Sequence, residues 1–239
     1  MKKQIGVWLM CICLAACSSD ITLFQKAKLA ASKGNYAQAL SLYTQLIKKN
    51  PQHAAALINR GLMWERVPVK TPAEKAKNLQ YAEQDYLRSL DVNPNQSEAY
   101  NNLGALYLDR NQAAEAVEYL TQAVALNPSY FRALMNRAVA YTKQGRFAQA
   151  LMDYNQAAQL RPNDPVLLLN RALTYMDMGK YEQADNDLTH AIVMQPNHAR
   201  LYVERARVLT KMGYPADAYD DLTMAISLKP GCSSMNSRK

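Results

Sequence analysis

Four arginines and four aspartates carry the most specific pattern in this 239-residue chain. Arg60, Arg137, Arg171 and Arg205 are each followed by an aspartate, at Asp85, Asp153, Asp187 and Asp221. A planar guanidinium fork suits a partly buried carboxylate, so charges that recur together are expected to bond to each other. The expected pairs are Arg60–Asp85, Arg137–Asp153, Arg171–Asp187 and Arg205–Asp221, with a structural role. A second series, Asn59, Asn102, Asn136 and Asn170, offers a donor and an acceptor at each place. Such amides can hold a peptide backbone without selecting its side chains. Catalysis has no comparable candidate. His53, His190 and His198 are scattered and form no ligand cluster, so no metal is expected. No Ser-His-Asp order, paired-carboxylate site or phosphate loop stands apart. The chain reads as a non-enzyme without a cofactor.

The elements that must position these residues follow from a period. Pro94, Pro128, Pro162, Pro196 and Pro230 fall 34 residues apart, as do Ala82, Ala116, Ala150, Ala184 and Ala218. Pro51 and Ala39 add a unit at the front. The period divides the chain into 20–53, 54–96, 97–130, 131–164, 165–198 and 199–232, leaving a tail at 233–239. Each unit carries two apolar stripes at helical spacing, interrupted by Gly34, Asn111, Gly145, Gly179 or Gly213. Gly61, Gly104, Ala138, Ala172 and Ala206 are small where two antiparallel helices must approach. The closing prolines cannot continue a helix. One helix pair cannot bury its apolar face alone, whereas stacked neighbours can.

The fourth unit shows Ala138, Tyr141, Gly145, Phe147, Ala150, Tyr154, Ala157 and Pro162. The fifth shows Ala172, Tyr175, Gly179, Tyr181, Ala184, Ala191 and Pro196. This pattern resembles the tetratricopeptide repeat. The resemblance implies an all-α, right-handed superhelical solenoid of six helix pairs, with the first helices lining a concave groove. The groove-facing places would be Ile58, Asn59, Leu62, Asn102, Ala105, Met135, Asn136, Val139, Leu169, Asn170 and Leu173. An apolar groove with spaced amides suits an extended or helical segment of another protein. Arg132 and Arg200 alone do not make the carboxylate clamp known in the family. The arginine place is usually apolar there, and unit three has Leu103 and Tyr119 where the other four have Arg and Asp.

Unit two is nine residues too long, with its extra chain around 67–75. Thr71, Pro72 and Glu74 read as a helix cap, a first helical residue and the far arm of a capping box. The expectation is a second helix lengthened by about two turns, projecting from the array.

The amino end is of another kind. Lys2 and Lys3 precede an apolar stretch from Ile5 to Ala16, as in a secretory signal peptide over 1–16. Leu14-Ala15-Ala16-Cys17 resembles the lipobox of bacterial lipoproteins, which implies acylation of Cys17 and a short tether at 17–19. Ser18, by resemblance to lipoprotein sorting, points to the periplasmic face of the outer membrane. Cys11 and Cys13 would leave with the leader, so no disulfide framework is expected. The formal net charge is +8, and the first unit sets Lys26, Lys28, Lys33, Lys48 and Lys49 against Asp20 alone. Held near a bilayer, that unit would meet anionic headgroups favourably. Interspersed charge without a basic run argues against nucleic acid.

Repeats behind a lipobox resemble two groups of envelope lipoproteins. Pilotins of type IV pili and the lipoproteins of tight-adherence pili assist assembly or localisation of a pilus or secretion complex. Adaptor lipoproteins instead recruit peptidoglycan hydrolases. A third expectation is self-association, a homodimer through an uncapped last unit beside Cys232.

Overall fold

The computed structural model describes residues 20–228, which hold twelve helices and no strand. The leader, Cys17 and its tether, Pro230, Cys232 and the tail at 233–239 lie outside the described residues. The chain divides into two compact units, Met1–Arg110 and Asn111–Lys239.

In the first unit, α1 covers 20–32, followed by α2 (Tyr36–Lys49), α3 (Ala54–Arg66), α4 (Pro72–Val92) and α5 (Ser97–Asp109). Helix is already present at residue 20. Asp20 explains this start: its carboxylate lies 2.8 Å from Lys49 Nζ, tying α1 to the last turn of α2. The core here is Ala27, Ala39, Tyr43, Leu46 and Leu57, all fully buried. Each buried Leu contributes about 1.5–3 kcal/mol relative to leaving it in water. Alanine at 27 and 39 lets the helix backbones approach, so that Tyr43 fills the space between them. Phe24 meets Tyr43 edge-on, with ring centroids 5.8 Å apart, and stacks on His53 at 5.1 Å. His53 in turn accepts the Ala56 amide at Nδ1 and so caps α3.

The long second unit of the repeat forms the helix expected of it. α4 has 21 residues, against 14 in α2, and residues 71–77 are exposed. Thr71 Oγ1 accepts from Glu74 N, while Glu74 Oε2 accepts from Lys70 N. The reciprocal arm of the capping box thus reaches one residue further back than the spacing suggests. Gly61 is small for a specific reason: a Cβ there would lie 2.5 Å from Tyr86 Cε1. Tyr86 is fully buried and donates its hydroxyl to Glu65, which fixes the ring against α3.

The second unit contains α6 (Ala113–Leu126), α7 (Phe131–Lys143), α8 (Phe147–Leu160), α9 (Pro165–Asp177), α10 (Tyr181–Met194), α11 (Ala199–Met212) and α12 (Pro215–Ser227). Each helix from α7 onward packs on the one before it. Alanines 116, 138, 150, 172 and 184 are fully buried beside Leu120, Leu134, Leu167, Leu188 and Leu201. The alternation of small and large side chains is what lets successive helices interdigitate. α7 ends in a left-handed residue, Gly145 at φ 71°. Past it, Arg146 N bonds Tyr141 O at 2.9 Å, so that chain reversal and carbonyl satisfaction occur together. Asn111 takes the same conformation at φ 59°, the one non-glycine described residue to do so. Asn is among the few side chains that tolerate it.

On α12 the outer apolar side chains are exposed. Leu222 is 43% exposed and Ile226 62% exposed, although Leu188 and Ile192 at the matching places of α10 are buried.

Candidate functional site

The arginines sit on first helices and the aspartates on the second helices that follow them. Arg60 Nε and Nη2 donate to the two oxygens of Asp85 at 2.8 and 2.6 Å. Arg137 meets Asp153 at 2.8 and 2.8 Å. Arg171 meets Asp187 at 2.7 and 2.7 Å, and Arg205 meets Asp221 at 2.8 and 2.7 Å. Every pair is bidentate, and all four carboxylates are buried. The structure therefore brings together the four pairs named from the sequence. The aspartate hydrogen bonds hold the Arg137, Arg171 and Arg205 guanidiniums above their ordinary range, against the opposing effect of burial. These arginines stay charged at any biological pH.

Three of the four forks, those of Arg60, Arg171 and Arg205, also have a third contact that the pairing argument missed. Nη1 of Arg60 reaches Thr44 Oγ1 at 3.4 Å, Nη1 of Arg171 reaches Asn155 Oδ1 at 3.1 Å, and Nη1 of Arg205 reaches Thr189 Oγ1 at 3.1 Å. Those acceptors lie on the second helix of the preceding repeat. One guanidinium thus ties two repeats, using its fifth donor after the fork is filled. A signal was available: a hydroxyl or amide lies sixteen residues before each of these arginines.

The proposed groove residues divide. Ile58 is 2% exposed and Leu169 8%. Both are corrections, since they pack into the helix layer and present almost no surface to a ligand. Met135, at 6%, is a partial correction: it floors a cleft without projecting into it. In the first unit the amides are turned away from a ligand. Asn59 Nδ2 donates to Ala55 O of its own helix at 2.7 Å. Asn102 Oδ1 accepts from Asn101 at 3.2 Å, and its Nδ2 is buried without a hydrogen bond among the described residues. Leu62 and Ala105 are half-buried beside them.

In the second unit the pieces converge. Phe131, Arg132, Met135, Asn136 and Val139 of α7 and Val166 and Asn170 of α9, with Arg161 and Asp164 between α8 and α9, line a cleft of ≈ 380 Å³. Leu173 is half-buried one turn beyond Asn170 on α9. Val166 is 58% exposed at the rim. Arg161 lies over the Phe131 ring at 4.4 Å, a contact that orients its guanidinium. Asp164 is already committed, because Oδ1 accepts from Val166 N and Leu167 N at 3.0 Å and caps α9. The cleft therefore offers apolar floor, amides and two cations. Arg161 and Asp164 were not in the expected set, because both fall between helices, outside the periodic pattern.

A second hollow of ≈ 370 Å³ surrounds the Arg205–Asp221 pair, with Asp185, Asp217 and Asp220 at its edge. Burial raises the Asp185 carboxyl above its usual range. Among the described residues no group of three His, Cys, Asp or Glu could hold a metal ion. None of their helices is long and apolar enough to cross a membrane.

Three tetratricopeptide-repeat family profiles match the sequence, one at 24–66 and 103–165, one at 85–118 and one at 166–198. No curated protein is significantly similar in sequence. Among solved structures, PilW, described as a widely conserved type IV pilus biogenesis factor, aligns with a TM-score of 0.75 at 22% identity. That alignment covers 85% of this chain and 90% of PilW. PilF of Pseudomonas aeruginosa aligns with a TM-score of 0.75 at 18% identity, over 91% of this chain and 95% of its own. YrrB, described as a tetratricopeptide-repeat protein with an unusual peptide-binding site, aligns at 0.61 and 18% identity, over 79% and 93% of the two chains. At such identities the likeness is one of fold. The matched repeats and the paired helices together show that this chain belongs to the tetratricopeptide-repeat family.

Proposed function

We propose that this chain is a lipid-anchored scaffold of a bacterial envelope. Its α7–α9 cleft holds an extended segment of another protein, in the service of assembling or localising a pilus or secretion complex. The cleft carries this reading. Amides at Asn136 and Asn170 suit a peptide backbone, Met135 and Val139 suit an apolar side chain, and Arg132 and Arg161 suit an acidic one. The fold shared with PilW and PilF favours the pilus pathway over recruitment of peptidoglycan hydrolases. The anchor follows from the Leu14-Ala15-Ala16-Cys17 sequence, and Ser18 favours the outer membrane. A second reading, self-association, is favoured by the exposed Leu222 and Ile226 of α12.

The test is cross-linking and affinity recovery from membranes with wild type and an Asn136→Ala, Asn170→Ala variant. Loss of one specific partner in the variant supports the cleft; unchanged recovery removes it. Incorporation of labelled palmitate in wild type and its loss in Cys17→Ala tests the anchor separately.

A further inference from the structure

The exposed side of α1 combines lysines with apolar side chains. With 100° per residue, the exposed residues Lys26, Leu29, Gln25, Ser32, Ile21 and Lys28, joined by Lys33 in the turn that follows, whose N–H still bonds Leu29 O, fall on one arc of about 160°. Leu29 is 55% exposed and Ile21 62% exposed. Three lysines flank these apolar groups, and no carboxylate shares the arc. The single acid of the first repeat, Asp20, is taken by Lys49 Nζ at 2.8 Å and by Asn50 Nδ2 at 3.4 Å. Lys28 lies 5.9 Å from the centre of the Phe24 ring, while Lys26 and Lys33 have no acidic partner among the described residues. These two stand at the edge of a shallow hollow of ≈ 260 Å³ floored by Leu29, Ala30 and Leu42.

We propose that this arc of α1 rests on an anionic lipid surface, with Lys26 and Lys33 at the headgroup phosphates and Leu29 among the upper acyl carbons. The inference deepens the lipid-anchored reading and rests on it for the place where the contact occurs. Charge complementarity selects the occupant. A cationic arc without acids attracts anionic headgroups, and apolar side chains spaced singly between lysines suit the headgroup plane better than a dry protein interface. Docking there would set the orientation of the first repeat, which an acyl tether by itself leaves free.

The experiment uses the chain from residue 18 onward, which retains every described residue and omits the acylation site. Partitioning is measured by co-sedimentation with phosphatidylcholine vesicles, with and without phosphatidylglycerol. Binding is expected on the anionic vesicles only. A Lys26→Gln, Lys33→Gln variant is expected to lower it about 30-fold, roughly fivefold for each lysine near the surface. Lys26→Arg with Lys33→Arg keeps it. Lys180→Gln with Lys211→Gln removes the same charge from exposed places in the second unit and leaves it unchanged. Equal loss in both glutamine variants would overturn the proposal, because net charge and not the arc would then be responsible. So would equal binding to neutral vesicles, or a Lys26→Gln, Lys33→Gln variant that binds vesicles normally but loses self-association in sedimentation. Since the chain lacks Cys17, failure here leaves the anchor itself to the palmitate experiment.

Discussion

Removal of Asp187 tests whether the arginine ladder acts as a set of paired charges or as separate surface groups. Asp187 is 6% exposed, and the Arg171 side chain is 18% exposed. Deleting one partner of a buried pair costs about 3–5 kcal/mol when the remaining charge cannot reach water. Arg171 retains Asn155 at 3.1 Å and some solvent, so Asp187→Ala is expected to cost about 2–3 kcal/mol. In a chain of this size that lowers Tm by roughly 4–12 °C. Replacing both members, Arg171→Leu with Asp187→Tyr, copies what unit three carries at Leu103 and Tyr119. The double variant is expected within about 1 kcal/mol of wild type, because an apolar pair has no desolvation cost to recover. Urea unfolding followed by helical circular dichroism gives the cycle. Amide exchange in α9 and α10 checks it locally, since repeat arrays can depart from two-state behaviour. If the double variant loses the sum of the two single losses, the residues are not coupled and the ladder argument is wrong.

Gly61→Ala is expected to destabilise by about 1–2 kcal/mol despite the better helix propensity of alanine, because its Cβ would meet the Tyr86 ring at 2.5 Å. Adding Tyr86→Leu should recover most of that loss in a thermal melt; an unaltered Tm for Gly61→Ala contradicts the packing described. Asp185 has a folded-state pKa raised above its ordinary 3.8, chiefly by burial. Its contribution is therefore fully present below that value and is lost as pH rises through the folded value. Asp185→Asn should melt above wild type at neutral pH and converge with it under acid. A difference that grows on acidification refutes the sign. Asp20 is the opposite case, held below 3.8 first by the Lys49 hydrogen bond. The tie is present above the ordinary carboxylate range and is lost as pH falls through the depressed value. Asp20→Asn should accelerate amide exchange in α1 at neutral pH and not below the folded pKa. Equal acceleration at both would show that the charge is irrelevant.

How much of this was legible beforehand depended on whether a residue repeats. The 34-residue recurrence of alanine and proline was sufficient to expect paired helices in a repeat fold, because each repeat solves the same packing problem with the same small residues. Co-occurrence of arginine and aspartate inside single units named the ion pairs for the same reason: a buried charge without its partner is too costly to persist. Position within a helix was less informative about which side faces a ligand. Ile58 and Met135 occupy equivalent places, yet Ile58 is covered while Met135 floors a cleft.

The sequence by itself thus determined the helical period, the small-for-large packing and the identity of the paired charges, all properties that a local pattern can encode. Only the tertiary structure decided that Ile58 and Leu169 are covered, that the forks of Arg60, Arg171 and Arg205 also reach the preceding repeat, and that Arg161 settles on Phe131 beside Asn136 and Asn170. Those outcomes depend on how side chains from different helices fill the space left between them, and rotamer choice there is set by neighbours distant in sequence.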